Sequence, residues 1–143
     1  MNEDQFNSYS VLLDRTAKRV KQFAQRRFKE LGFHITVDQW IVLKHLYEQE
    51  EMKQNELAEL VFKDNPTVTR IIDLLCKKGL TVRTIHPRDR RSFVVSLTRA
   101  GIKKIEQLSS KVRDIRFKAW DGLSGRDFNQ FKKILDTIYQ NLG

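Results

Sequence analysis

The chain contains one cysteine, two prolines and six glycines in 143 residues, and no apolar run approaches the ~18 residues a membrane-spanning helix needs. Each shortage removes a class of protein. Cys76 alone cannot close an internal disulfide framework or build a cysteine-rich zinc site, and a reducing cytosol suits it. Scarce proline and glycine beside 40% hydrophobic and 31% charged residues speak against a disordered or fibrous chain and for a helical globular one. Met1-Asn2-Glu3-Asp4 is followed by no apolar signal-like stretch, so neither secretion nor membrane insertion is expected, and the expected location is cytoplasmic. His34, His45 and His86 lack metal-ligand spacing, so neither a metal nor any other cofactor is expected. No glycine-rich phosphate loop, nucleophile motif or spaced His and carboxylate pair is present, so no catalytic residue is nominated and the chain is read as not an enzyme.

What the chain has is positive charge. The formal net charge is +9, and it is concentrated. Between Lys63 and Lys104 stand eleven basic residues against three acidic ones, which accounts for +8 of the total. Evenly spread charge keeps a protein soluble, whereas charge gathered in one segment points to a polyanion. The length suits one domain.

Apolar spacings of three and four from Tyr9 to Leu31, through Leu13, Val20, Phe23, Ala24 and Phe28, predict a long first helix. Thr36 and Gln39 form a capping-box pair that starts a second, with Ile41, Leu43, Leu46 and Tyr47 as its buried side. Gln54–Val61 is a short third helix, and Phe62-Lys63-Asp64 turns into a fourth that opens with Asp64 or Asn65 as N-cap, carries Pro66 in its first turn and ends at Gly79. The alternating stretches Leu80–Ile85 and Ser92–Leu97, rich in β-branched residues, predict a β-hairpin joined by a basic segment. Thr98 caps a fifth helix with Ile102, Ile105, Leu108, Val112 and Ile115 on one face. Ser124 caps a sixth carrying Phe128, Phe131, Leu135, Ile138 and Leu142. The terminal helices hold more apolar surface than one small core needs. The expected fold is mainly α with a small β-hairpin wing, a winged helix-turn-helix of six helices.

In that order of elements the second helix of the motif enters a major groove. At 100° per residue Val68, Ile71, Ile72 and Leu75 gather on one side of the fourth helix, with Pro66, Arg70 and Lys77 opposite and Thr67 and Thr69 beside them. Small, polar and positive side chains are the set that reaches base edges and phosphates, and Arg70 is the candidate for a bidentate base contact. An ordinary solvated helix face has the same pattern, so the helix alone decides little. The hairpin adds weight: Arg88, Arg90 and Arg91 crowd a turn where repulsion is unfavourable unless an anion lies there, and Asp89 is placed to hold one of them by a charge-assisted pair. An arginine at such a tip suits a narrow, electronegative minor groove.

These residues resemble the multiple antibiotic resistance regulator (MarR) family of bacterial winged-helix dimers. The likeness is carried by Gln54 with Glu56-Leu57-Ala58, Pro66-Thr67-Val68-Thr69-Arg70, Lys78-Gly79-Leu80 with Arg83, Asp89-Arg90-Arg91, and Leu97-Thr98-Arg99-Ala100-Gly101, a set specific in combination. His86 departs from the pattern, standing where many relatives carry an acidic residue before the proline. The resemblance implies a homodimer interlocked through its first, fifth and sixth helices, binding a pseudopalindromic operator in double-stranded DNA, with repression as the commoner mode. It divides the chain into a DNA-binding part, 36–98, and dimerising parts, 1–35 and 99–143. The candidate DNA-binding residues are Gln54, Asn65, Pro66, Thr67, Thr69, Arg70, Lys77, Arg88, Asp89, Arg90 and Arg91.

Such regulators often bind a small aromatic or phenolic effector where the first two helices meet, which nominates Phe23, Phe33, His34 and Trp40. A filled core and a pocket are both lined with aromatics, and core packing is the preferred reading. Cys76 is read as a small core residue. A winged-helix module for protein or RNA, or a regulator with no effector, is the competing reading.

Overall fold

The computed structural model describes all 143 residues, and every helix except the short third begins where a side chain satisfies an orphan N–H group. Helix α1 (Glu3–Glu30) starts well ahead of Tyr9, because Asn2 and Gln5 close a capping box, the Gln5 N–H donating to Asn2 Oδ1 at 2.8 Å and the Asn2 N–H to Gln5 Oε1 at 2.9 Å. Thr36 and Gln39 do the same for α2 (Val37–Gln49) at 3.0 and 3.1 Å, as expected. Helices α3 (Gln54–Leu60) and α4 (Asn65–Lys77) follow, the latter capped by Asp64, which accepts the Thr67 N–H at 2.7 Å. Lys78 is the C-cap of α4, and Gly79 follows it at φ +75°, the left-handed position that favours glycine.

The sheet differs from the expected hairpin. Strand β1 (Glu51–Lys53) pairs antiparallel with β3 (Asp89–Leu97), which also pairs with β2 (Thr81–His86), so the order is β1-β3-β2. Three residues are too few to show an alternating pattern, and β1 exists because Met52 lies opposite Val95 across the fold. The hairpin strands run further toward the tip than expected, leaving Pro87 and Arg88 as the turn and putting Arg90 and Arg91 on β3.

Helix α2 packs against α1, α4, α5, β1 and β3. Its buried arc is therefore rotated from the expected one: Val42 is fully buried, Ile41 half-buried and Tyr47 exposed. Twenty-one buried residues form one core, including Phe28 and Phe33, whose rings lie 4.9 Å apart.

Helix α5 (Arg99–Lys118) begins at Thr98, which accepts the Gly101 N–H at 3.1 Å. Its first turn lies on the end of α4. Thr98 donates its hydroxyl to the Gly79 carbonyl at 2.6 Å and its N–H to the Leu80 carbonyl at 3.1 Å, and a Cβ at position 101 would meet the Leu80 oxygen at 2.1 Å, so only glycine fits. Ile105, Leu108, Val112 and Ile115 are buried as expected, whereas Ile102 is exposed beyond the edge of that contact. Helix α6 (Gly125–Asn141), capped by Ser124, buries no residue. Leu13 and Val20 of α1 and Phe128 and Phe131 of α6 are likewise exposed on the single chain. The architecture is the mainly helical winged helix-turn-helix with six helices, its wing widened by one short strand.

Candidate nucleic-acid interface

Helix α4 buries Val68, Ile71, Ile72 and Leu75 and turns Asn65, Pro66, Arg70 and Lys77 outward. Burying those four side chains orients the opposite face without help from any partner. Hydrogen bonding from Thr67, with smaller contributions from the charges of Arg70 and Lys63, holds the Asp64 carboxyl below the usual carboxylate range. The cap therefore stays ionised near neutral pH and anchors the first turn of the helix. Arg70 and Lys77 form no ion pair within the chain.

Two expected contact residues are engaged elsewhere. Gln54 Nε2 donates to Thr69 Oγ1 at 2.6 Å, and Gln54 Oε1 accepts from Arg83 Nε at 3.1 Å. The same guanidinium donates to Asp73 Oδ1 at 2.5 Å and to the Thr69 carbonyl at 3.3 Å. Gln54 and Thr69 are half-buried in this network, which ties the start of α3, the middle of α4 and the wing strand β2 together. Arg83 was absent from the nominated site although it organises it. Its signal was strand alternation: Thr81 is buried and Arg83 half-buried on the inward side of β2, where an unpaired cation would be costly.

On the wing, the expected charge pair of Asp89 with an arginine is not formed. Asp89 Oδ1 instead accepts the Arg91 backbone N–H at 3.0 Å, and Oδ2 accepts from Ser92 Oγ at 3.2 Å. With Asp89 at the first position after a two-residue turn, its short side chain reaches the backbone two residues on more readily than a distal guanidinium. Asp89 thus shapes the strand that carries Arg91. Arg88, Arg90 and Arg91 are exposed and without an ion pair. The Arg88 N–H donates to His86 Nδ1 at 3.1 Å, so His86 closes the turn.

The four nominated effector residues do not gather around one cavity. Phe33 is part of the core, packed on Phe28, and His34 is exposed in the turn after α1 at φ +57°. Trp40 is buried in the core at 4% exposed, and it borders a depression of about 340 Å³ between α2 and α5 with Ile41, Lys44, His45, Val112 and Arg113 among its walls. Phe23 lines another, of about 530 Å³, between α1 and α5 with Arg27, Lys111 and Ile115. The residues are near in sequence, but helix rotation and the turn of residues 31–36 send them to different surfaces. Cys76 is half-buried, its Sγ 3.2 Å from Thr81 Oγ1. No group of three metal-ligating side chains occurs.

A family model described as "MarR family" matches residues 35–93. The organic hydroperoxide resistance transcriptional regulator of Bacillus subtilis (strain 168) is 30% identical over 111 residues, 76% of this chain and 73% of that protein. The HTH-type transcriptional repressor IacR of Pseudomonas putida is 25% identical over 130 residues, 91% of this chain and 77% of the relative. Among solved structures, the crystal structure of the S. aureus MepR–DNA complex superposes with a TM-score of 0.82 at 27% identity, covering 93% of this chain and 97% of that one.

Proposed function

The chain belongs to the MarR family of transcription regulators, and on that premise we propose that it is a sequence-specific duplex-DNA-binding regulator, a repressor that acts as a homodimer on a pseudopalindromic operator in the cytoplasm. Residues 36–98 read the DNA, while 1–35 and 99–143 build the dimer. The observation that carries this reading is the set of cations left without ion partners on two adjacent elements, Arg70 and Lys77 on α4 and Arg88, Arg90 and Arg91 on the wing. Charges kept unpaired in one region raise the potential there and suit a ligand that brings its own negative charge. The relatives support it: one is named a transcriptional repressor, and MepR is solved with DNA.

The test is binding to duplex recovered from random sequence, measured across a range of salt. Neutralised phosphates release condensed counterions, so affinity should fall along a straight line in log–log coordinates with a slope of about −0.9 per phosphate contacted. A palindromic consensus should emerge, with half-sites about one helical turn apart. Absence of any duplex binding, with capture of a protein or RNA instead, would favour the competing reading of a winged-helix interaction module.

Release by a small molecule is assigned to the α2–α5 depression. Its volume lies in the ordinary range for small-ligand sites, and the cations Lys44 and Arg113, with His45 and the buried Trp40 beside them, suit an aromatic or phenolic effector bearing negative charge. Trp40 is one of two tryptophans, so an effector seated there should quench or shift indole emission, and a Trp120→Phe variant should retain that response. Retention of the response in Trp40→Phe and its loss in Trp120→Phe would move the site elsewhere.

A further inference from the structure

Lys78 belongs to the basic segment that the sequence assigns to DNA, yet its ammonium is used inside the protein. Nζ donates to the His34 carbonyl oxygen at 2.6 Å and to Gln39 Oε1 at 3.0 Å. The first acceptor lies in the turn between α1 and α2 and the second in the first turn of α2. Neither carries charge, and Lys78 makes no ion pair. The Gln39 side chain is already fixed: the residue is only 4% exposed, and its Oε1 also accepts the Thr36 N–H that closes the capping box. Residue 78 as a whole is exposed, yet its ammonium is held by two acceptors of the protein.

The position gives these two bonds leverage. Burial of Val68, Ile71, Ile72 and Leu75 holds α4 to the core but has no direction, so tilt must be set by directional contacts. The Arg83 network supplies them through the middle of the helix, at Thr69 and Asp73. At the other end, backbone contacts from Gly79 and Leu80 join α4 to α5, while the polar link to α2 is made by Lys78. A helix of this length spans about 20 Å, so a tilt of about 5° at one end moves the other by about 2 Å. That displacement exceeds the tolerance of a base-edge hydrogen bond.

We propose that Lys78 is a positioning residue whose ammonium seats the C-terminal end of α4 on the first turn of α2, setting the angle at which the helix meets the major groove, and that it is not a phosphate contact. The proposal rests on the duplex-DNA reading above. The chemistry of the seat agrees with it. Desolvation of the ammonium, reinforced by the nearby charge of Lys104, lowers its pKa from the ordinary lysine value, a cost that offsets part of what its two hydrogen bonds contribute to folding.

The test compares Lys78→Met with Lys77→Met, a neighbour expected to face phosphate, on the selected operator and on scrambled duplex over a salt series, with thermal midpoints measured in parallel. Methionine keeps an unbranched stem of similar length and removes the ammonium. Lys78→Met should lower operator affinity about tenfold per bound half-site while leaving scrambled-duplex affinity, the salt slope and the thermal midpoint unchanged. Lys77→Met should weaken both duplexes alike and reduce the slope by about one per subunit. If Lys78→Met behaved as Lys77→Met, the residue would be a phosphate contact and the proposal overturned. Unchanged operator affinity, or a loss that tracks a lowered thermal midpoint, would overturn it equally. Failure of the unsubstituted protein to bind either duplex would sink the DNA reading itself, and the proposal with it.

Discussion

Arg70→Ala should cost about 1–3 kcal/mol per half-site on the selected operator and flatten base preference at the position it reads, with the dimer intact. The expectation follows from three features of the residue. It lies opposite the buried row Val68, Ile71, Ile72 and Leu75, it is exposed, and it forms no ion pair. Its guanidinium is therefore available to the fork-like acceptor pair of guanine. Substitution of Arg91 by alanine should instead weaken operator and scrambled duplex together, since a wing arginine meets phosphate and groove width rather than a base edge. Asp89→Ala should be a milder form of that change, because Asp89 holds the Arg91 backbone and Ser92 but no guanidinium. Unaltered affinity and base preference in Arg70→Ala would remove α4 from the role of reading helix.

Placing aspartate at both Phe131 and Ile134 should yield a folded monomer of 17.0 kDa with operator affinity lower by about two to four orders of magnitude, the loss expected when two half-sites no longer share one ligand. The surface area argues for the dimer. A compact monomer of this mass should expose about 7,700 Å², whereas the single chain exposes 10850 Å². The excess is about 3,100 Å² per chain, about 6,200 Å² over two chains, which is at the large end of what obligate interfaces bury. Much of it lies where the helices are apolar yet uncovered: Phe6, Leu12 and Val20 on α1, and Phe128, Phe131 and Ile134 on α6. Trp120 already meets the rings of Phe128 and Phe131 edge-on at 5.4 Å each, forming an aromatic group at the start of α6. Because α6 buries nothing within its own chain, charges there should spare the core and disrupt only association. Sedimentation at micromolar concentration gives the answer, and a double variant that still runs at twice the chain mass would place the interface elsewhere.

The order of the six helices and the wing hairpin, the caps at Thr36 and Thr98, the inward face of α4 and the clustering of charge around it were all determined by the sequence alone. These features arise from groups within a few residues of one another, where periodicity and local hydrogen bonding act directly. What tertiary structure decided is the work each polar side chain does. Lys78 finds Gln39 across 39 positions of chain and Arg83 finds Gln54 across 29, which turned two basic residues of the charged segment into internal struts and drew Gln54 and Thr69 away from the free surface. Strand β1 was decided in the same way, by the distant partner Val95 opposite Met52. So was the parting of Phe23, Phe33, His34 and Trp40, which the turn after α1 distributes between core, solvent and two depressions. A side chain's type and local spacing limit what it can bond, but the partner it meets depends on how the helices pack, and that is settled by burial of the whole core at once.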